Sequence, residues 1–468
     1  MNPANSGRTS LRLKFVTAAG AALLFTGCGS PETSQAPGSH PAEGAPRLLE
    51  SVPVGANGAT SWLYSDAQSA ELNVAQVAYD AKGNAITFLG TVDGRAPAKL
   101  RKISPDGVDG FTKDFYVVYS PEATATPFVR FDAVEADAAG NILVAGLAGG
   151  AWNFLGGTPG AGSFIAKLDP QGNRIWGRYT RPAEGTSLVF RDLATKANGD
   201  VVALSQFHPG QDEWASIMVT HYNGSTGQPQ WERQFGPALP VQQGNAVEVD
   251  ANNNIHLAGT MGEALNFGST TLTSSCAFSI CTRAFVASLD PAGNHRWSRV
   301  IAAGDAENTS DGRVGGLAVQ GDAVVASVEG HPTFAGADAR RGAHVLAFTR
   351  DTGAEQWSRL LREESAAPKL AANAEGQIVA LQAGDAVEFG QPDASARYFL
   401  TRFTAAGQRV STWNHMSADP FSVWYFDAAP TGNAIVASGS YETPAANLGM
   451  DLYGPGVTRG FEMQVVAP

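Results

Sequence analysis

The residue types that most often carry chemistry are scattered along this chain. In the chain after the N-terminal segment, histidines occur singly, at His208, His221, His256, His295, His331, His344 and His415. The sequence has neither the His-Glu-x-x-His spacing of a zinc protease nor the Gly-x-Ser-x-Gly turn of a hydrolase. The glycine-rich run at 156–163 lacks the lysine of a phosphate-binding loop. We therefore predict no catalytic residues, no metal and no cofactor. An enzyme whose site lies on surface loops stays an alternative.

Two turns carry closely spaced oxygen side chains of the kind that bind calcium. They are Asp137–Asn141 and Asp250–Asn254. Neither continues to the acidic residue that would complete a calcium loop, and both recur at the same place in a repeated pattern. Because aspartate, asparagine and glycine also suit tight backbone turns, the pattern predicts structural turns.

The N-terminus has the features of an export signal. Residues 1–27 contain basic residues and no acids, and then an apolar run, Phe15–Phe25, that is too short to span a bilayer. The run ends at a Thr-Gly pair before Cys28, which resembles a bacterial lipobox. This predicts cleavage before Cys28 and lipidation of its thiol. Gly29, in place of aspartate, favours the outer membrane. An ordinary signal peptide with an incidental cysteine is the alternative.

The segment after the signal has the composition of a linker. Residues 28–57 are rich in proline, serine, glycine and alanine, which predicts a flexible tether. Such a segment would hold a folded body roughly 30 Å from the lipid. The net charge of −12, with no basic stripe, argues against a nucleic-acid partner.

Cys276 and Cys281 are the other two cysteines. Export permits a disulfide, and this spacing would close a small loop. Two free thiols are the alternative. A metal site is not expected, because no second cysteine pair or nearby histidine completes a ligand set.

A repeated stretch organises the rest of the chain. Residues 283–299 read as an apolar strand, an Asx/Gly turn and a strand carrying Trp297, and residues 163–176 repeat this pattern up to Trp176. Looser copies end at Trp231, Trp357 and Trp413. Each repeat has four apolar segments, which predicts four antiparallel strands and hence a propeller blade. The recurring tryptophan is interpreted as packing between sheets.

The number of repeats predicts how the structure closes. The last repeat stops after Val466, where a tryptophan strand is due, while a spare strand at Trp62 precedes the first repeat. Pairing the two would remove both open edges. We therefore predict an all-β fold, a seven-bladed β-propeller over residues 58–468, closed by the N-terminal strand pairing into the last blade.

Aligning the repeats places five side chains where a first strand begins: Asp132, Arg191, Asn245, Arg313 and Trp424. In a propeller these positions surround the mouth of the central channel. Mixed charge with an aromatic ring suits contact with a small ligand. The alternative is that these residues are ordinary loop ends, which have a similar composition.

Loops between the repeats hold further acids, at Asp305, Glu307, Asp311, Glu363, Glu364 and Asp419. They predict an acidic face that could meet a basic partner. A solvated acidic surface is the alternative.

The repeated motif, Phe-Val-Ala-Ser-Leu-Asp-Pro-Ala-Gly-Asn before Trp297, resembles the SBBP-type repeats of exported bacterial proteins over about residues 61–468. That resemblance implies a seven-bladed propeller at the cell envelope and brings no catalytic residues. The Thr-Gly turns before Trp231 and Trp357 resemble the docking turns of pyrroloquinoline-quinone-type propellers. That group includes a lipoprotein of outer-membrane β-barrel assembly, which uses no cofactor.

These features predict an exported, lipid-anchored propeller that binds or scaffolds a protein or glycan at the cell envelope, with the membrane as a further partner. Two alternatives remain. One is a polysaccharide-active or other enzyme with its site on the loop face, and the other is an assembly factor for outer-membrane proteins.

Overall fold

A computed structural model describes most of the repeat region. The described residues are 47–51, 60–65, 72–91, 97–117, 127–156, 160–180, 186–210, 215–236, 242–262, 264–273, 282–303, 312–333, 337–338, 340–363, 365–383, 396–416, 421–430, 432, 434–441 and 459–466. Residues 43–468 form one compact unit. Cys28, Cys276 and Cys281 lie outside the described residues, so the lipidation and the disulfide stay predictions.

The described part is all-β apart from a short 3-10 helix at Asn153–Leu155. The N-terminal strands and those of the first two repeats are β1 (Arg47–Ser51), β2 (Thr60–Ser65), β3 (Leu72–Tyr79), β4 (Ala85–Thr91), β5 (Ala98–Ile103), β6 (Asp109–Phe115), β7 (Phe128–Ala136), β8 (Ile142–Gly150), β9 (Gly160–Leu168) and β10 (Arg174–Thr180). The third and fourth repeats form β11 (Ser187–Thr195), β12 (Val201–His208), β13 (Ser216–Tyr222), β14 (Pro229–Phe235), β15 (Gln243–Val249), β16 (Ile255–Met261), β17 (Ala264–Asn266), β18 (Thr271–Thr273), β19 (Arg283–Leu289) and β20 (His295–Ala303). The remaining repeats form β21 (Arg313–Gln320), β22 (Ala323–Pro332), β23 (Gly342–Thr349), β24 (Glu355–Glu363), β25 (Lys369–Ala372), β26 (Gln377–Ala383), β27 (Ala396–Thr404), β28 (Arg409–Met416), β29 (Phe421–Ala428), β30 (Ala434–Tyr441) and β31 (Arg459–Val466).

The repeated Asx/Gly turns hold these strands in register. The Asp290 carboxylate accepts the backbone N–H groups of Ala292 at 2.9 Å and Asn294 at 2.8 Å. Asp137 and Asp250 accept the equivalent pairs of N–H groups in their own turns. A carboxylate that closes its own turn satisfies otherwise orphaned backbone donors. The prediction of structural turns is confirmed.

Each repeat folds as an antiparallel meander. The clearest examples are the four-stranded sheets β11-β12-β13-β14 and β25-β26-β27-β28. The first two repeats are joined into an eight-stranded sheet by the pairing of Thr91 with Val129. The fourth and fifth repeats are joined in the same way, through β20 and β22. The sequence predicts a separate sheet for each repeat, whereas the structure joins neighbouring sheets at two places, through the pairing of β4 with β7 and of β20 with β22.

The first strands of the repeats form a closed ring. Each contacts the next, in the order β3, β7, β11, β15, β21, β25, β29 and back to β3. The sheets follow one another around this ring, so the fold is all-β and propeller-like. The apolar clusters lie between neighbouring sheets, for example between β12 and β16, where Leu204 and Leu257 share a cluster.

The N-terminal strand closes the last sheet. β2 pairs antiparallel with β31, with Trp62 opposite Gln464, which is the predicted pairing. β1 then adds a fifth strand, so that the sheet order is β1-β2-β31-β30-β29. β1 lies within the segment 28–57 for which the composition predicts a tether, and the rest of that segment is outside the described residues. Antiparallel pairing with β2 gives the residues of β1 backbone partners that the composition of the segment does not reveal.

Three of the repeated tryptophans are buried packing residues, as predicted, and the side chain of Trp413 is outside the described part. Trp176, Trp297 and Trp357 are exposed by only 7%, 5% and 8%. Each indole N–H donates to a turn carbonyl of the next repeat, at 2.9, 2.9 and 2.8 Å respectively. Trp231 also lies against the next turn, but its indole N–H has no acceptor among the described residues.

A basic side chain two residues after the aromatic residue completes this contact between repeats. Arg178, Arg233, Arg299 and Arg359 each donate to a backbone carbonyl of the following turn. In the first repeat, Lys113 donates instead to the side chain of Asn173 at 2.7 Å. The Trp-x-Arg spacing is visible in the sequence, and its role becomes clear only when the turn it reaches is placed beside it.

Candidate functional site

Five of the first strands, β7, β11, β15, β21 and β29, carry a one-residue β-bulge in their pairing with the second strand. The pairing with the second strand slips between Phe131 and Ala133, which leaves Asp132 as the extra residue. The same slip singles out Arg191, Asn245 and Trp424 in their repeats. A bulge re-aims the side chain it carries. The structure therefore places these predicted residues at equivalent positions.

Arg313 occupies a different position. It is the first residue of β21 and pairs with Glu329, while the slip falls between Val314 and Gly316. Gly315 therefore takes the equivalent place. The fifth repeat has a tighter turn, in which Gln320 pairs with Ala323. The fifth repeat lacks the Asp-x-x-Gly-Asn turn, so its first strand cannot be aligned with those of the other repeats from the sequence alone.

A cavity of about 570 Å³ lies at the centre of the ring and is lined by residues from every first strand. Arg191 and Asn245 are among the residues that line it. Asp132 and Arg313 lie outside this lining. Asp132 binds Arg130 at 2.6 Å, and its charge acts on the pKa values of Arg191 and Tyr425, so it lies close by. The side chain of Trp424 is outside the described part.

Four carboxylic acids on four different first strands face one another in this cavity. They are Glu135 on β7, Asp192 on β11, Glu248 on β15 and Asp427 on β29. All are partly buried and keep some exposure to the cavity. Sequence reasoning missed them, because an acid in an alternating strand looks like part of its solvent face. The available signal was that three of them stand three residues after a bulge, where other repeats have alanine.

The two aspartates are tied to neighbouring backbone. Asp192 accepts the backbone N–H of Val247, on the adjacent first strand, at 2.8 Å. Asp427 accepts that of Tyr79 at 2.8 Å, across the point where the last repeat meets the first. Burial raises the pKa of Asp192 to about 7 and that of Asp427 to about 6, and these N–H groups oppose the rise.

The two glutamates are more strongly affected. Burial raises the pKa of Glu248 to about 8, and the charges of Asp192 and Asp427 add to the rise. Burial also raises the pKa of Glu135 well above its usual range, followed by the charges of Asp427, Glu248 and Asp192. No hydrogen bond or ion pair to the Glu248 carboxylate occurs within the described residues. The cavity therefore favours protonated glutamates.

Cations in the lining balance the acids only in part. Asp80 and Asp137 form ion pairs with Lys102 at 2.7 Å and Lys167 at 2.8 Å. The cationic side chains that line the cavity themselves are Arg191 and Lys369. Lys369 lies over the Tyr425 ring at 5.9 Å, and burial lowers its pKa.

Two polar atoms in the lining are buried without a partner among the described residues. They are the Oδ1 of Asn245 and the Nε of Arg191. Unsatisfied buried polar atoms destabilise a protein unless water or a ligand supplies the missing bond. These two atoms therefore have unused hydrogen-bonding capacity next to the cavity.

Other predictions lie outside this cavity. Within the described ranges, no group of three or more histidine, cysteine or acidic side chains is placed to hold a metal ion. Of the acids predicted on the inter-repeat loops, Glu363 is described, and it forms an ion pair with Arg340. The others lie in undescribed loops, so the acidic face stays a prediction. No helix in the described segments is long and apolar enough to cross a membrane.

Comparison with known proteins gives no family. No protein-family model matches the chain, and no curated protein matches it. Among solved structures, BamB from Moraxella catarrhalis is similar at 14% identity over 90% of this chain and 99% of that one, with a TM-score of 0.40. The WD40 domain of Neurospora crassa Pan2 is similar at 10% identity over 84% of this chain and 89% of that one, with a TM-score of 0.45.

The β-propeller domain of Myceliophteria thermophila Cps50 (Swd1) is also similar, at 9% identity over 85% of this chain and 99% of that one, with a TM-score of 0.46. Likeness at TM-scores of this size carries no argument for a shared activity. The propeller-like architecture therefore rests on the strand pairing and the ring of first strands in this protein itself.

Proposed function

We propose that this protein is a lipid-anchored binding module of the bacterial cell envelope. In this proposal it is a seven-bladed propeller whose central cavity takes a small ligand carrying a positive charge. The observation that carries the proposal is the convergence of polar side chains from different first strands on one cavity. A cavity of about 570 Å³ has the size of ordinary small-molecule sites.

The charge of the lining supports a cationic ligand. Once the Lys102–Asp80 and Lys167–Asp137 pairs are set aside, the four acids that face one another outnumber Arg191 and Lys369 when all four are ionised. A ligand with an ammonium group would offset this excess. It would also supply hydrogen-bond donors to Glu248 and to Asn245 Oδ1, neighbours on β15 that have none among the described residues.

The ring of first strands supports the number of blades. Each of the seven strands in that ring opens one repeat, and β2 supplies the outer strand of the last repeat. A closed ring leaves no open end at which the repeats could add further copies. The resemblance to SBBP-type repeats agrees with this count.

The anchoring rests on the sequence around Cys28. Cleavage there would leave residues 29–46 between the lipid and β1, enough to hold the propeller off the membrane. Gly29 supports the outer membrane. Cys28→Ser should abolish incorporation of labelled palmitate and release the protein into the aqueous phase on detergent partitioning. An unchanged partition would contradict the anchor.

Binding of a simple amine tests the cavity. We expect spermidine to bind the wild-type protein measurably by isothermal titration calorimetry. Glu248→Gln should weaken that binding by about tenfold or more, because a charge-assisted bond is lost. Glu232→Gln is the matched control, since Glu232 is an exposed acid on the outer strand β14.

Equal weakening by the two variants would mean that spermidine follows the general negative charge of the protein. The absence of spermidine binding to wild-type protein at low salt would contradict the proposed function itself. Higher salt separates attraction to the exposed acids from binding in the cavity. It should weaken the former more, because salt screens exposed charges more than buried ones.

A further inference from the structure

The four acids of the cavity divide into two pairs with different surroundings. Asp192 and Asp427 each accept two backbone N–H groups, of which one belongs to the neighbouring first strand. Such bonds favour the ionised carboxylate. Glu248 has no donor among the described residues. The pKa values of Asp192, about 7, and Asp427, about 6, lie below that of Glu248, about 8, so the aspartates ionise before Glu248 as pH rises. Glu135 accepts one backbone N–H, from Ala136, but burial and the three other acids still raise its pKa well above the usual range, so the glutamates are the groups on which protons are held.

The charged and titratable groups around Glu248 come from most of the ring. β3 contributes Tyr79, β7 contributes Glu135, and β11 contributes Arg191 and Asp192, while the turns after β3 and β7 contribute the paired Asp80 and Asp137. β25 contributes Lys369, and β29 contributes Tyr425 and Asp427. The part of the lining that belongs to β21 is uncharged, with Gln320 as its largest polar side chain.

This placement limits how many acids can be ionised together. Carboxylates that share a poorly solvated space repel one another, so ionisation of one disfavours ionisation of the next. Arg191 stands beside the aspartate on β11, and Lys369 is on the far side of the ring from β7. Glu135 and Glu248 therefore have acids as their main electrostatic neighbours, which is the reverse of an ion-paired site.

We propose that the cavity exchanges protons for its ligand: Glu135 and Glu248 hold protons when it is empty, and each ammonium group that binds there displaces one proton. This inference rests on the proposed function of the cavity. The O–H bond of a carboxylic acid breaks, its proton passes to solvent, and an N–H of the ligand takes its place on the carboxylate. The charge of the cavity is then nearly the same in both states.

Proton exchange makes binding depend on pH in a defined direction. Protons and ligand compete for the same carboxylates, so the linkage is reciprocal. The raised pKa of Glu248, about 8, places this competition in the neutral range. Ligand should be held at mildly alkaline pH and released on acidification, which suits a binding module exposed to the outside of a cell.

Calorimetry in paired buffers measures the exchange. Spermidine binding near pH 7 in phosphate and in Tris gives the number of protons released, because the buffers differ in ionisation enthalpy. We expect release of about one proton per ligand and an affinity about tenfold or more weaker at pH 5.5 than at pH 8.5. Glu248→Gln should release fewer protons, and Glu232→Gln should match the wild type.

The possible outcomes separate this inference from the proposed function. Equal affinity at both pH values with no proton release would overturn the exchange and leave the cavity as a binding site. No spermidine binding at either pH would overturn both. Carboxyl carbon resonances of glutamate-labelled protein provide a check without ligand, since a Glu248 resonance that titrates near its usual pH would also overturn the exchange.

Discussion

The contact between repeats predicts a specific effect of two glycine substitutions in the fifth repeat. Gly353 lies on the turn against Trp297, with φ +64°, and a Cβ there would lie 2.5 Å from the indole ring. Gly321 has φ +59°, and no described atom lies within 4 Å of its ideal Cβ. Alanine at either position meets the same backbone strain, but only at Gly353 does it also meet the tryptophan.

The expected magnitude comes from separating these two contributions. Left-handed backbone in a non-glycine residue costs about 1 kcal/mol. Overpacking a tight contact adds about 1–3 kcal/mol. We therefore expect Gly321→Ala to lower the free energy of unfolding by about 1 kcal/mol and Gly353→Ala to lower it by about 2–4 kcal/mol. Urea unfolding followed by tryptophan fluorescence measures both.

A double variant isolates the ring itself. In a Trp297→Ala background the extra cost of Gly353→Ala should vanish, while the cost of Gly321→Ala should persist. Equal decreases in the free energy of unfolding for the two glycine variants in the wild-type background would refute the contact between Gly353 and the Trp297 ring. So would an unchanged Gly353 effect after removal of the tryptophan.

Three further predictions concern stability. Trp176→Phe should lower the free energy of unfolding by about 1 kcal/mol more than Trp231→Phe, since only Trp176 donates a described hydrogen bond, at 2.9 Å, and urea titration compares them. Glu248→Gln should stabilise the protein near pH 9 by about 1–2 kcal/mol, allowing for water in the cavity, and have little effect near pH 5. Folding raises the pKa of the Glu248 carboxyl group from 4.5 to about 8, so its contribution to the stability of the wild-type protein falls as pH rises through this range. A melting temperature of the wild-type protein that rises with pH over the same range would contradict this prediction. Asp427→Ala should remove the hydrogen bond from the Tyr79 N–H that links the last repeat to the first, and so speed hydrogen exchange in β3 and β29. Exchange in β13 should change little, and equal acceleration in all three strands would contradict a local effect.

Much of the architecture is encoded in short-range patterns of the sequence. The turn at Asp290 has a carboxylate, a proline and a glycine at fixed positions, so the hairpin it closes is predictable from local geometry. The pairing of β2 with β31 was predictable because one strand was missing and another was spare. The first inference depends on local turn geometry and the second on counting repeats, and neither requires knowledge of the side-chain environment.

Other features depend on contacts that a repeat alignment does not contain. The place of Arg313 was misjudged because the register there depends on the short turn at Gly321. The strand character of β1 depends on β2 as a partner, since five residues alone do not hold an extended conformation. The acids of the cavity emerge only when strands more than fifty residues apart in sequence are placed side by side.

The location of a bound amine decides whether the cavity is the binding site. Spermidine added to glutamate-labelled protein should shift the carboxyl carbon resonances of Glu135 and Glu248, with saturation that matches the calorimetric affinity. The resonance of exposed Glu232 on β14 should stay in place. Shifts confined to exposed carboxylates, with Glu135 and Glu248 unchanged, would contradict ligand binding at the centre of the ring.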